Sequence, residues 1–315
     1  MENTKTDILN ELFASDYRKQ VDAELKRLVN EYVSNSGLKS NILYHLCLDE
    51  DVKPTLEHSK RLRAYLCLIM AEENGFKVQD IVPLSVVLEL IHNASLIIDD
   101  IQDDGIMRCG RLALWKKIGI PLAINAAYFM SHISLAYYNW QCQIHNYYNY
   151  SKIILQSIAD FGNGQQLDLE SNKEMSFDIY EKISEGKTGT LLKLSLLFGL
   201  MPYNYCESIY KQISEFAALF AYAYQIGDDI CDLKQYQKQN TKNIDTSNIY
   251  FCFEKKLDTN LIEKTIFEIE KYQRKKQANV YEMLNSITNA KNIKINKITN
   301  LINALWKKNW MKSTL

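Results

Sequence analysis

The chain has 315 residues, with 37 Lys and Arg against 38 Asp and Glu and a formal net charge of −1. That length allows a substantial core, and the balanced charge offers no electrostatic footprint for nucleic acid, so no nucleic-acid partner is expected. Only 4 Pro and 11 Gly interrupt long amphipathic stretches, which points to an all-α chain.

Helical spacing begins at Asp16 to Tyr32, where Val21, Leu25, Leu28 and Val29 share one face. An acidic loop, Leu48 to Glu57, contains Pro54 and precedes a helix over Lys60 to Glu73. Lys60 and Arg63 stand at i, i+3 there, and on spacing alone they read as a solvated basic face. Val78 to Asp104 is apolar on most sides, the pattern of a central helix buried all round. It ends in Asp99-Asp100-Ile101-Gln102-Asp103-Asp104, directly after Leu96-Ile97-Ile98. His92, one heptad before Asp99, reads on its own as a satisfied core histidine.

Gly105 to Gly119 is expected to be a connector carrying Arg108, Arg111, Lys116 and Lys117. Pro121 suits the first turn of a helix running to about Tyr138, and a further helix spans about Lys152 to Glu170. Phe177 to Leu200 is helical in pattern but broken by Gly186-Lys187-Thr188-Gly189, and two glycines there call for a local structural reason. Cys206 to Lys238 is long and apolar and carries a second acidic run, Asp228-Asp229-Ile230-Cys231-Asp232. A polar loop to Ser247 and two or three Lys- and Asn-rich helices between Leu261 and Trp310 complete the chain, which reads as one domain over 1–315. The tyrosines at Tyr137-Tyr138 and Tyr147-Tyr148-Asn149-Tyr150 fit either packing or the lining of a cation-stabilising cavity.

The duplicated acidic run is the strongest chemical signal. Buried carboxylates are costly unless paired or bound to metal. Asp99 and Asp103 stand at i, i+4, as do Asp228 and Asp232, so like charges share a helix face unless a cation separates them. An oxygen-only donor set selects a hard ion such as Mg²⁺, completed by substrate phosphates. Seven singly placed cysteines (Cys47, Cys67, Cys109, Cys142, Cys206, Cys231 and Cys252) suggest free thiols in a reducing compartment. The polar start Met1-Glu2-Asn3-Thr4-Lys5 and the lack of a long uninterrupted apolar run imply a cytoplasmic protein without stable membrane insertion.

His92-Asn93-Ala94-Ser95-Leu96-Ile97-Ile98-Asp99-Asp100-Ile101-Gln102-Asp103 closely resembles the first aspartate-rich motif of trans-isoprenyl diphosphate synthases, especially the geranylgeranyl type. Gly119-Ile120-Pro121, Gly164-Gln165-Gln166-Leu167-Asp168, Lys187-Thr188-Gly189 and Tyr224-Gln225-Ile226-Gly227-Asp228-Asp229 match further landmarks in order. The resemblance implies an isoprenoid synthase helical bundle with a central apolar cavity, usually homodimeric. It implies an allylic isoprenyl diphosphate substrate and three Mg²⁺ ions. Asp99 and Asp103 would hold two ions and Asp228 the third, with Asp100, Asp229 and Asp232 in support. Diphosphate oxygens would fall to Arg108 and Lys187, with Thr188 and Gln225 alongside.

A second diphosphate, isopentenyl diphosphate, would be met in this family by the residues matching Lys60, Arg63 and His92. The family glycine before Lys60 is Ser59 here, and Cys109 replaces the second arginine of an Arg-Arg-Gly triplet. A thiol cannot supply the bidentate contact of a guanidinium, although Arg111 lies two residues on. The family's later lysine falls at Tyr250, and the bulky floor of the cavity falls at Ser131 and His132. Intact ionisation with a damaged second site favours a terpene synthase that cyclises, deprotonates or hydrates a long allylic cation. The competing readings are elongation with isopentenyl diphosphate or another acceptor and, behind both, a regulatory subunit of a heteromeric synthase.

Overall fold

The computed structural model describes residues 16–49, 61–146, 151–171, 175–203, 207–239, 244–291 and 293–307. They form an almost wholly helical protein with two compact units, one built on residues up to 151 with 198–202, the other on 152–197 and 203–312.

In the first unit, α1 (Asp16–Tyr32), α2 (Ser36–His45), α3 (Leu62–Glu73) and α4 (Val78–Gln102) are followed by a two-stranded hairpin, β1 (Met107–Arg108) and β2 (Arg111–Leu112). Helices α5 (Leu114–Ile118) and α6 (Ile120–His145) complete it. α4 is the core element, packed most extensively against α6 and then α3 and α1. Leu84, Val86, Val87, Leu88 and Leu90 are buried on successive sides of it, as its unbroken apolar sequence requires. It is long and apolar enough to cross a membrane, yet 72% of that window is buried inside the protein.

The expected start of α3 at Lys60 moves to Leu62, because Arg61 adopts the left-handed region (φ +47°) to reach inward. α6 runs a further two turns beyond Tyr138, burying Gln141 and Cys142, and ends where Asn146 takes a left-handed cap at φ +59°. The connector after the first acidic run contains the hairpin and α5. Its two-residue turn, Cys109-Gly110, has positive φ at both positions (+52° and +73°), the signature of a type I′ turn.

The second unit contains α7 (Ser151–Glu170), α8 (Phe177–Ser184), a π-helical turn (Glu185–Gly189) and most of α9 (Thr190–Gly199). α10 (Glu207–Gln239), α11 (Tyr250–Phe253), α12 (Ile262–Lys291) and α13 (Asn296–Lys307) follow. α10 packs along α12 and against the π turn. Tyr180, Tyr222, Ile226, Ile249 and Tyr250 sit in one apolar cluster. The π turn has the local reason the sequence demanded. A Cβ on Gly164 would stand 2.7 Å from the Gly186 Cα, and one on Gly186 would stand 2.6 Å from the Gly164 Cα, so two backbones cross in direct contact.

Gly186→Ala should therefore lower stability by about 1–3 kcal/mol through overpacking. Gly162→Ala, also on α7 but facing open space, should raise it by roughly 0.5–1 kcal/mol. Urea-denaturation midpoints for the two variants check the contrast. A pH dependence comes from His45, buried with Nε2 2.9 Å from the Asn93 carbonyl oxygen. Burial, reinforced by the Arg108 charge, holds its pKa down to about 3 from an ordinary 6.5. The unfolded chain binds the extra proton between those values, so the His45 contribution is present above pH 6.5 and lost as pH falls toward 3. His45→Gln should flatten that acid limb in denaturation curves measured across the window.

Candidate functional site

The first acidic run lies at the C-terminal end of α4, and the helical period divides its aspartates. Asp100 turns inward and is 4% exposed, whereas Asp99 is half-buried and Asp103 exposed. The Asp103 N–H donates to the Asp99 carbonyl oxygen at 2.9 Å, which confirms that these two stand one turn apart on a common face. Arg108 on β1 donates to both oxygens of Asp100, Nε to Oδ2 and Nη2 to Oδ1, each at 2.7 Å. Burial raises the Asp100 carboxyl while Arg108 opposes that rise. Gly105 permits this packing, since a Cβ there would stand 3.0 Å from the Asp100 Oδ1.

Arg63, in the first turn of α3, brings Nη1 to 2.9 Å from His92 Nε2. An arginine is always a donor, so His92 accepts at Nε2 and is neutral. Its pKa is held well below the usual value by burial and then by Arg63 and Arg108. The fold thus assembles Arg63, His92 and Arg108 into one basic cluster near the first acidic run. Lys60 lies outside the described residues. Arg111, two residues beyond Cys109, is already engaged in this structure. Its guanidinium is bound bidentately to Asp49, at 2.8 and 2.6 Å, and lies 3.8 Å over the Tyr44 ring.

Sequence reading passed over Arg61. It is 3% exposed, donates to Asp22 Oδ1 at 2.9 Å and to the Leu46 carbonyl oxygen at 2.8 Å, and stands 3.7 Å from Glu89. Glu89 in turn accepts from the Ala64 backbone N–H at 3.1 Å. This buried network fixes the first turn of α3 and so the place of Arg63. A glutamate within the apolar run Val86 to Leu90 was the available signal.

In the second unit the acidic run lies inside α10. Asp228 is 5% and Asp229 6% exposed, while Asp232 is half-buried. Asp229 accepts from the Ile249 N–H at 2.7 Å, Tyr180 Oη at 2.9 Å and Gln225 Nε2 at 3.1 Å. Burial nevertheless pushes its carboxyl up to about 7. Asp229 is therefore placed as an anchor for residues 248–250, and Gln225, expected at the diphosphate, has its amide on Asp229. Tyr250, at the position of the family's lysine, is fully buried, and its hydroxyl accepts from the Asp258 N–H at 3.2 Å. Lys187 on the π turn pairs with Asp168 of α7, and Thr188 is half-buried beside it. His132 is exposed on α6, its ring tilted by 33° against Tyr128 one turn earlier at 4.0 Å between ring centroids.

Mg²⁺ fits this donor set. Each unit offers carboxylate oxygens, and among the described residues no three His, Cys, Asp or Glu side chains close a cage by themselves. An ion that keeps waters and takes phosphate oxygens needs only one or two carboxylates from the protein.

Residues 47–300 match the polyprenyl synthetase family model. The chain is 26% identical over 234 residues to a short chain isoprenyl diphosphate synthase of Methanocaldococcus jannaschii, covering 74% of this chain and 68% of that protein. It is 32% identical over 213 residues to a farnesyl diphosphate synthase of Buchnera aphidicola, covering 62% and 70% respectively. In fold it is similar to a geranylgeranyl pyrophosphate synthetase from Geoglobus acetivorans, with a TM-score of 0.77 and 20% identity over 96% of this chain and 99% of that one.

The buried Asp100–Arg108 pair yields a stability test. Asp100→Leu alone should cost roughly 3–5 kcal/mol by stranding the guanidinium, while the Asp100→Leu, Arg108→Met double variant should recover most of that loss. Thermal denaturation of the single and double variants checks it.

Proposed function

The chain belongs to the polyprenyl synthetase family, and we propose that it is a prenyltransferase extending an allylic isoprenyl diphosphate with isopentenyl diphosphate. The observation that carries this reading is Arg63, its guanidinium 2.9 Å from the neutral His92 imidazole. A cyclising enzyme has no second diphosphate to hold, and here a cation for one persists at Arg63 although Cys109 and Arg111 supply none. The relatives, named for isoprenyl diphosphate synthesis, support the same reading. The terpene synthase reading suggested by Cys109 has no such support.

In this proposal Asp99, Asp103 and Asp228 hold Mg²⁺, three ions in all. When bound, the ions neutralise the charge that develops on the departing diphosphate. The chain's own side chains do the rest. Arg108, held by Asp100, and Lys187, held by Asp168, present fixed cations to phosphate oxygens. Arg63 and neutral His92 orient the second diphosphate so that its double bond meets the allylic carbon as the C–O bond breaks. Asp229 acts as a positioning residue, locking α10 to the loop at Asn248 and Ile249. A homodimer belongs to the same proposal. Ile120, Ile124, Tyr128, Trp140 and Ile144 form an exposed apolar stripe along α6 suited to burial against a second copy, and sedimentation equilibrium would detect it.

The test is a product assay with Mg²⁺ and geranyl, farnesyl or geranylgeranyl diphosphate, with and without isopentenyl diphosphate. Longer diphosphates formed only when isopentenyl diphosphate is present are expected. Hydrocarbon or alcohol formed without it would restore the cyclising reading. In the same assay Asp99→Ala and Asp228→Ala should each lower turnover by about 10²–10³-fold or more. Unchanged turnover in either would remove that aspartate from the mechanism.

A further inference from the structure

Lys193 stands in the middle of α9 among Leu191, Leu192, Leu194, Leu196 and Leu197, every one of them buried. It is itself 8% exposed. A buried ammonium is costly unless it is paired. The Lys193 Nζ lies 3.6 Å from Asp160 Oδ2 on α7, while Gln156 Nε2 donates to the other Asp160 oxygen at 3.0 Å. At 3.6 residues per turn, the five leucines are spread round the rest of the helix circumference. The ion pair therefore distinguishes one rotational setting of α9 from all others.

That setting is tied to the π turn, Glu185–Gly189, which joins α8 to α9. Thr190 donates both its N–H and its hydroxyl to the Glu185 carbonyl oxygen five residues back, the hydroxyl at 3.3 Å. Ahead of the turn, α8 is pinned by the buried Tyr180, whose hydroxyl donates to Asp229 at 2.9 Å. Closing the turn to α-helical form would rotate α9 against α8 by about 100°, the angle of one residue. Lys193 would leave Asp160, and its ammonium would be stranded among leucines. Lys187 lies inside the turn and pairs with Asp168, about two turns along α7 from Asp160. The Lys187–Asp168 and Lys193–Asp160 pairs thus join the same two segments that meet at Gly164 and Gly186.

We propose that Lys193 is a positioning residue for Lys187. Its ion pair with Asp160 selects the rotational setting of α9 in which the π turn forms and Lys187 meets Asp168. A buried charge used this way specifies a register at some cost in stability, as a single buried polar residue does in a coiled coil. Its catalytic consequence rests on the reading of Lys187 as a diphosphate contact, whereas the register itself is measured without turnover, so the two fail separately.

The experiment labels the full chain briefly with acetic anhydride, follows each lysine by peptide mass spectrometry, and records thermal denaturation alongside. Lys193→Met fills similar space without a charge. It should leave the melting temperature unchanged or higher, because an apolar side chain replaces a buried ion. Acetylation of Lys187 should nonetheless rise about threefold or more, the order by which such an ion pair holds an ammonium, with Lys182 and Lys234 unaffected. Lys193→Arg, which keeps the charge, should label at Lys187 like the unsubstituted chain. The KM of Lys193→Met for the allylic diphosphate should rise in step with the labelling. Unchanged Lys187 labelling in Lys193→Met would overturn the proposal. A lowered melting temperature with labelling raised at Lys182 and Lys234 as well would also overturn it, by showing general loosening. Raised Lys187 labelling at an unchanged KM would uphold the register and remove Lys187 from the diphosphate.

Discussion

The Asp100–Arg108 ion pair ties the end of α4 to the β1–β2 hairpin, and the arrangement of the first acidic run depends on it. A carboxylate that is only 4% exposed needs a partner, and a bidentate arginine is among the strongest available. Once Asp100 is fixed inward, the helical period leaves Asp99 and Asp103 on a separate face, one turn apart. The same pair fixes Arg108, whose charge is felt at His92, and the Asp22–Arg61–Glu89 network holds Arg63 against Nε2 of that imidazole. A buried, ion-paired carboxylate thus stands between two that lie on a separate face.

The second acidic run meets the same constraint with neutral donors. Asp229 is satisfied by a backbone N–H, a tyrosine hydroxyl and a glutamine amide, and burial still lifts its carboxyl to about 7. A buried carboxyl satisfied by neutral donors is tolerated where it organises its surroundings, and Asp229 holds residues 248–250 against α10. The adjacent Asp228 is buried on the same helix. The family assignment gives both arrangements a purpose, since an enzyme of allylic diphosphate chemistry needs its acidic groups kept in place.

Much of this was legible in the sequence because helices announce themselves by period. The Asp16–Tyr32 helix and its four core residues match the structure, as do the unbroken apolar character of α4 and the interruption at Gly186. The order of the acidic and basic motifs also led to the right family. What stayed hidden were contacts between distant segments. Nothing in the local pattern shows that Arg111 is occupied by Asp49, that Gln225 serves Asp229, or that Arg61 points inward. The hairpin at Met107–Leu112 escaped because its strands have two residues each, too short for alternation to register. Reading the loss of an arginine at Cys109 as loss of the second substrate gave a local substitution more weight than the surviving pair of Arg63 and His92.

The central claim is that Arg63 and His92, and not Arg111, meet the isopentenyl diphosphate. The most direct measurement is the KM for isopentenyl diphosphate, at saturating allylic diphosphate, in Arg63→Gln and in Arg111→Gln. A charge-assisted phosphate contact is worth about 1.5–3 kcal/mol, so Arg63→Gln should raise that KM by about tenfold or more, with little change for the allylic substrate. Arg111→Gln, which removes a side chain already committed to Asp49, should leave it nearly unchanged. The reverse order, with Arg111→Gln raising KM and Arg63→Gln silent, would contradict the assignment.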